Sequence, residues 1–127
     1  MPHLSVHISE EALDGTTEPR LIGALTDAVG AVYGEEFGRL VGVDLIGIPQ
    51  RRRGLGGRPA EIDAPHVTLS MREAAYRHPK VPDAPARLVR ALTDALADVL
   101  GEDVRRQVLV TLDGVPDGRT GVAGTLV

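Results

Sequence analysis

Two tandem βαβ units, joined into a four-stranded mixed sheet with two helices on one face, are the α+β fold this sequence predicts. Three observations predict it. The first is an internal repeat. Pro2-His3-Leu4-Ser5-Val6-His7-Ile8 returns as Pro65-His66-Val67-Thr68-Leu69-Ser70-Met71, an offset of 63 residues. Arg20-Leu21-Ile22-Gly23-Ala24-Leu25-Thr26-Asp27-Ala28 returns as Arg87-Leu88-Val89-Arg90-Ala91-Leu92-Thr93-Asp94-Ala95, an offset of 67. The second is a period-two alternation of apolar residues at the start of each copy, and the third a helical periodicity after it. The change in offset puts four extra residues in the second copy, between its strand and its helix.

Each element follows in order. Leu4, Val6 and Ile8 alternate with His3, Ser5 and His7, the pattern of a half-buried strand. Asp14-Gly15-Thr16-Thr17 supplies turn and helix-capping chemistry, and Pro19 suits a first helical turn. Leu21, Leu25, Ala28 and Val32 lie on one helical face, and Gly34 is a natural stop. An apolar strand is expected from Leu40 to Ile48. Gly54-Leu55-Gly56-Gly57 then suggests a tight turn or short hairpin. The second copy repeats the scheme. Val67, Leu69 and Met71 alternate, Leu88, Leu92, Ala95 and Val99 mark the helix face, and Gly101 ends it. Its strand runs from Val108 to Val115. Strand, crossover helix and parallel strand make a βαβ unit in each copy. At 127 residues, one domain built from repeats 2–60 and 65–127 is expected, because either half alone buries too little.

Composition removes several functional classes. There is no cysteine, hence no disulfide framework, thiolate nucleophile or cysteine zinc site. That fits a reducing compartment, so a cytoplasmic location is expected. No apolar run approaches membrane-spanning length, and the start lacks a signal-peptide pattern. A net charge of -4 argues against general nucleic-acid binding. Tyr33, Phe37 and Tyr76 are the only aromatic residues, too few for base stacking. His3 and His66 recur at equivalent strand positions without carboxylate ligand spacing, which points to packing or an interface and not to a metal. The Gly-rich turn lacks a phosphate-loop lysine and opens no helix.

Pro2 is the residue with unusual chemistry. Proline is a secondary amine only at a chain terminus; elsewhere its nitrogen is an amide without basicity. Pro2 follows Met1, and methionine aminopeptidase removes Met1 before small residues such as proline. An α-amine titrates near ~8, and burial or neighbouring cations lower that value toward a neutral base at pH 7. Pro65 has the same local sequence and can never be an amine. A strand-initiating role is the plainer alternative for both prolines.

A strand beginning at Pro2, a helix, a parallel strand and the turn Arg53-Gly54-Leu55-Gly56-Gly57 resemble the tautomerase superfamily over nearly the whole chain. Its members include 4-oxalocrotonate tautomerase, carboxymethyl-hydroxymuconate isomerase, the cis-chloroacrylate dehalogenases and malonate semialdehyde decarboxylase. The turn is similar to the aromatic-Gly-Ile-Gly-Gly turn of the oxalocrotonate enzyme, and duplicated members are fused versions of its short subunit. The resemblance implies that Pro2 is the catalytic base or acid. It implies arginines that grip the carboxylate of a 2-oxo or unsaturated acid, a geometry the guanidinium fork suits. It implies a homotrimer, a small carboxylate-bearing substrate and no cofactor.

Carried over residue by residue, the site departs from that pattern in places. Where the oxalocrotonate enzyme has an arginine after its first strand, this chain has Ala12-Leu13. Arg72, directly after the second copy's first strand, is the leading substrate-binding candidate, with Arg77 nearby. Arg53 replaces the aromatic beside the turn and is the second candidate, within the run Arg51-Arg52-Arg53. Arg39 is the third; it lies three residues before Gly42, where the family's arginine falls, and its pairing with Arg106 suggests a structural role. The expected reaction is 1,3-proton transfer in an enol or unsaturated 2-oxo acid. A hydratase-, dehalogenase- or decarboxylase-like reaction is the alternative, with Glu73 or Asp117 activating water. A trimeric binding protein without catalysis is the third possibility, favoured by a retained Met1.

Overall fold

The structure is a computed structural model describing residues 1–127. In chain order its elements are β1 (His3–Ser9), α1 (Thr17–Tyr33), α2 (Glu35–Gly38), β2 (Gly42–Ile48), β3 (Gly54–Leu55) and β4 (Arg58–Pro59). The second copy supplies β5 (His66–Arg72), α3 (Glu73–Tyr76), α4 (Ala84–Leu100), β6 (Leu109–Val115), β7 (Gly121–Val122) and β8 (Thr125–Leu126). One sheet of order β2-β1-β5-β6 joins the copies. β1 runs parallel to β2 and β5 parallel to β6, while β1 and β5 are antiparallel. The predicted α+β architecture of two tandem βαβ units is therefore the observed one.

The period-two pattern determines which face is buried. Leu4, Val6, Ile8, Val67 and Leu69 are fully buried, and Met71 nearly so. They pack under Leu21, Leu25, Val29 and Val32 of α1 and Leu88, Leu92 and Leu96 of α4 in one continuous cluster. The two helices also pack on each other. Each fully buried aliphatic side chain is worth about 1.5–3 kcal/mol of transfer free energy. The other sheet face carries His3, Ser5, His7, His66, Thr68 and Ser70, with no element of the chain over it.

The apolar strands begin later than expected, at Gly42 and Leu109 instead of Leu40 and Val108. Local hydrogen bonding explains the shift. Leu40 N–H donates to Phe37 O at 3.0 Å and Val41 N–H to Gly38 O at 3.2 Å, so the turn after α2 claims both residues. Val108 N–H likewise donates to Arg105 O at 3.4 Å, at the end of a 3₁₀ turn over Glu102–Gln107. The expected turn at residues 54–57 is the hairpin β3–β4, and β7–β8 repeats it. Gly56 and Gly57 have φ of 63° and 84°, and Ala123 and Gly124 have 51° and 83°. Two successive positive φ values are what a type I′ turn demands, and Ala123 meets that demand without glycine's freedom.

Asp14 caps α1. Its Oδ1 accepts from Thr16 N–H, Thr17 N–H and Thr16 Oγ1, each at 2.9 Å. The Thr17 and Thr16 bonds hold its carboxyl well below the usual carboxylate range. A depressed folded-state pKa contributes stability above the unfolded value, near ~4, that is lost as pH falls through the folded one. Asp14→Ala should therefore lower the melting temperature at neutral pH, by a margin that shrinks in strong acid. Calorimetry of both proteins across that range checks the sign.

Candidate active site

The antiparallel register of β1 and β5 decides what surrounds Pro2. His3 stands opposite Ser70 and Leu4 opposite Leu69. Continued outward, the same register sets Pro2 opposite Met71 and Met1 opposite Arg72. The start of one copy's strand thus meets the finish of the other's. Pro2 is buried, and its carbonyl accepts from Gly42 N–H at 3.0 Å. Arg72 is exposed, ends β5 and takes part in none of the chain's ion pairs.

The other two arginines lie elsewhere. Arg39 is at the Pro2 end but on the helical side, its Nη2 3.1 Å from Glu35 Oε1, in a shallow cleft of about 360 Å³ beside Thr26 and Asp27. Arg53 is at the opposite end of the sheet, because it follows β2, which runs parallel to β1. Seven residues of strand at about 3.3 Å each separate the two ends by roughly 20 Å. Its guanidinium is also engaged: Nη1 donates to Asp63 Oδ1 at 2.7 Å and Nη2 to Ala64 O at 2.6 Å. Both members of this pair are largely buried, at 12% and 19% exposure. Asp63 Oδ1 also accepts from Ser9 N–H at 3.1 Å, which ties the linker between the copies to the end of β1. Within the chain, Arg72 therefore lies at the Pro2 end of the sheet and Arg53 at the other.

Several residues at the Pro2 end had no distinguishing mark in the sequence. Tyr76 is buried with its hydroxyl 2.8 Å from Leu69 O and 3.0 Å from Asp113 O, bridging β5 and β6. Burial pushes its phenol far above its ordinary value, so it stays protonated. Tyr33 donates to Ala75 O at 2.9 Å and packs on Phe37 with ring centroids 4.7 Å apart. These rings, with Val32, Ala75 and Val81, line a cleft of about 480 Å³ whose polar members are His78 and Lys80. One wall comes from the first copy and the other from residues 75–81 of the second, where the four extra residues fall. That insertion was the only sequence signal for the cleft.

The second cleft at this end holds Glu73, Arg77, His78 and Asp117 in about 570 Å³. Glu73 Oε1 accepts from Arg77 Nη2 at 2.9 Å. Its carboxylate lies over β6: a methyl group added at Gly114 would collide with it, as one at Gly47 would with Glu10 in the first copy. Residues 72–80 carry three permanent cations, Arg72, Arg77 and Lys80, against one acid, Glu73. This is a locally cationic margin in a chain of net charge -4. No group of three or more histidine and carboxylate side chains is placed to hold a metal ion. No helix is long and apolar enough to cross a membrane.

Neither a known protein-family pattern nor a curated protein matches the sequence. Solved structures do match. A native fused 4-OT is 24% identical and superposes with a TM-score of 0.81, covering 98% of this chain and 94% of its own. A fused 4-OT that forms a symmetric trimer is 25% identical, with a TM-score of 0.79 and the same coverage. A macrophage migration inhibitory factor-like protein from Entamoeba histolytica is 9% identical with a TM-score of 0.75, covering 99% and 98% of the two chains. The fold of this chain is that of the fused 4-OT proteins of the tautomerase superfamily.

Proposed function

We propose that this chain is a cofactor-independent tautomerase that moves a proton between positions 1 and 3 of an enol or unsaturated 2-oxo carboxylic acid. The observation that supports the reading is the β1·β5 register, whose continuation puts the end of β5, where Arg72 lies, at the Pro2 end of the sheet. With Met1 removed, Pro2 nitrogen is a secondary amine. Its buried position and a nearby guanidinium both favour the neutral, basic form. The nitrogen lone pair takes the proton from the enol hydroxyl, and the electron pair of that O–H bond becomes the carbonyl. The resulting ammonium returns the proton to the distal carbon. Arg72 grips the carboxylate and faces the oxygen on which charge develops. The expected location is the cytoplasm.

Arg72→Ala tests this arrangement. The carboxylate does not react, so ground state and transition state lose similar binding. KM for phenylenolpyruvate or 2-hydroxymuconate should rise about tenfold or more, with a smaller fall in kcat. Unchanged steady-state kinetics with both compounds would remove Arg72 from the site.

The same reading includes a homotrimer, as its fused 4-OT structural neighbours form. Two features of this chain support it. The hairpins expose Leu55 at 73% and Leu126 at 68%, and two-residue strands are too short to stand alone. The uncovered sheet face also exposes Ile46 and Leu109 on its two edge strands. A second reading, hydration through a protonated Pro2, has one observation behind it. Glu73 and Asp117 share the cleft at the Pro2 end, where either carboxylate can orient a water.

A further inference from the structure

We infer that the sheet face turned away from the helices is a proton-sensitive contact surface whose partner is a second copy of this chain, and that the His7–His66 pair sets its response. The inference rests on the trimer reading above and adds to it a dependence on pH.

The argument starts from which side chains occupy the face. His3, His7 and His66 all project there from the two central strands, β1 and β5. They are not equivalent. His3 Nε2 lies 3.0 Å from Asp44 Oδ2 on β2, so a proton on His3 meets a carboxylate. His7 and His66 stand directly opposite one another in the register, with ring centroids 6.3 Å apart. His66 Nε2 lies 3.0 Å from Thr111 Oγ1 on β6, a neutral partner. His7 has Ile46 beside it on β2.

Among the other charged groups around this face, Arg72 alternates with His66 and Ser70 along β5 and lies at the far end of the strand from His66, in no ion pair. Asp113 on β6 sits opposite Ser70 and accepts its hydroxyl at 3.3 Å. Glu11, beyond the end of β1, accepts from Ser9 Oγ at 2.6 Å and from Gln50 N–H. Asp63 is held by Arg53. No ion pair of the chain includes His7 or His66.

Two imidazolium rings at that separation are tolerable on a wet surface, where water and salt screen them. Covering the face by another copy removes the water. Each cation then loses hydration and meets its neighbour through a medium of lower polarity. Assembly therefore favours the neutral pair. By linkage, protons that bind the free face better than the covered one pull the assembly apart as pH falls through the range in which histidine charges. A closed trimer repeats the penalty at three pairs. The His3–Asp44 contacts do not share it, because each new charge has a counter-charge.

The test is sedimentation equilibrium of the full chain across a micromolar dilution series, at about pH 8 and at about pH 6. The expected result is a trimer at the higher pH and, at the lower, a rise of about tenfold or more in the concentration of half-dissociation. The paired substitution His7→Gln with His66→Gln should make the two values agree within about threefold. His7→Gln alone, which also breaks the facing pair, serves if the double variant misfolds. A wild-type trimer equally stable at both pH values overturns the inference while leaving the trimer intact. So does a variant as pH-sensitive as the wild type. A monomer at about pH 8 overturns the trimer reading itself and the inference with it.

Discussion

Replacing Pro2 by alanine is expected to lower kcat by about 10²–10⁴-fold, the usual contribution of a positioned acid–base group. Fold and assembly should be unaffected. Alanine leaves a primary amine that turns freely about its bond to Cα. The pyrrolidine ring instead holds its nitrogen in one orientation at the start of β1, opposite Met71 in the continued register. The control lies within the same chain. Pro65 occupies the equivalent place in the second copy and is fully buried, yet its nitrogen is an amide. Pro65→Ala should leave kcat near wild type in folded protein. Steady-state rates with 2-hydroxymuconate, on protein whose mass shows Met1 absent, decide the matter. Equal losses from both substitutions would mean that the proline is needed as a strand residue and not as a base.

Leu69→Ala should have the largest effect on stability, about 2–5 kcal/mol. Leu69 is fully buried on β5, opposite Leu4 of β1 and Leu112 of β6. It belongs to the cluster that both long helices close from above. Truncation leaves a cavity at the centre of a close-packed layer that cannot collapse without moving the sheet. Because that layer draws residues from both copies, urea should unfold the whole chain in one transition, displaced to lower concentration. Two separate transitions, one per copy, would show that residues 2–60 and 65–127 fold as independent units.

The architecture was legible because repetition is a strong signal and the pattern of apolar residues left one arrangement for each segment. Leu4, Val6 and Ile8 could only face the helices, and they do. The candidate site was legible in part. Arg72 was singled out through the family resemblance, as the residue directly after the second copy's first strand. Arg53 was chosen for its place next to the Gly-rich turn, which says nothing about which end of the sheet that turn occupies. The parallel pairing of β1 and β2 sends it away from Pro2, and Asp63, ten residues on, holds its guanidinium. Tyr33, Phe37 and Tyr76 were equally silent. Their importance comes from one copy meeting the other across the 75–81 segment, a relation no local spacing encodes.

The seam between β1 and β5 has a consequence for how the molecule comes together. Two separate βαβ chains would have to find each other in solution, and their pairing would weaken on dilution. Here the short stretch from Ala60 to Pro65 joins the hairpin of one copy to the first strand of the next. A short tether of this kind replaces an encounter by an effective concentration on the order of millimolar, whatever the amount of protein present. Asp63 adds to it by fastening the tether to Ser9 and Arg53, so little of that local concentration is lost to wandering of the linker. The central pair of strands is therefore assembled at any dilution, and only contacts between whole chains respond to protein concentration.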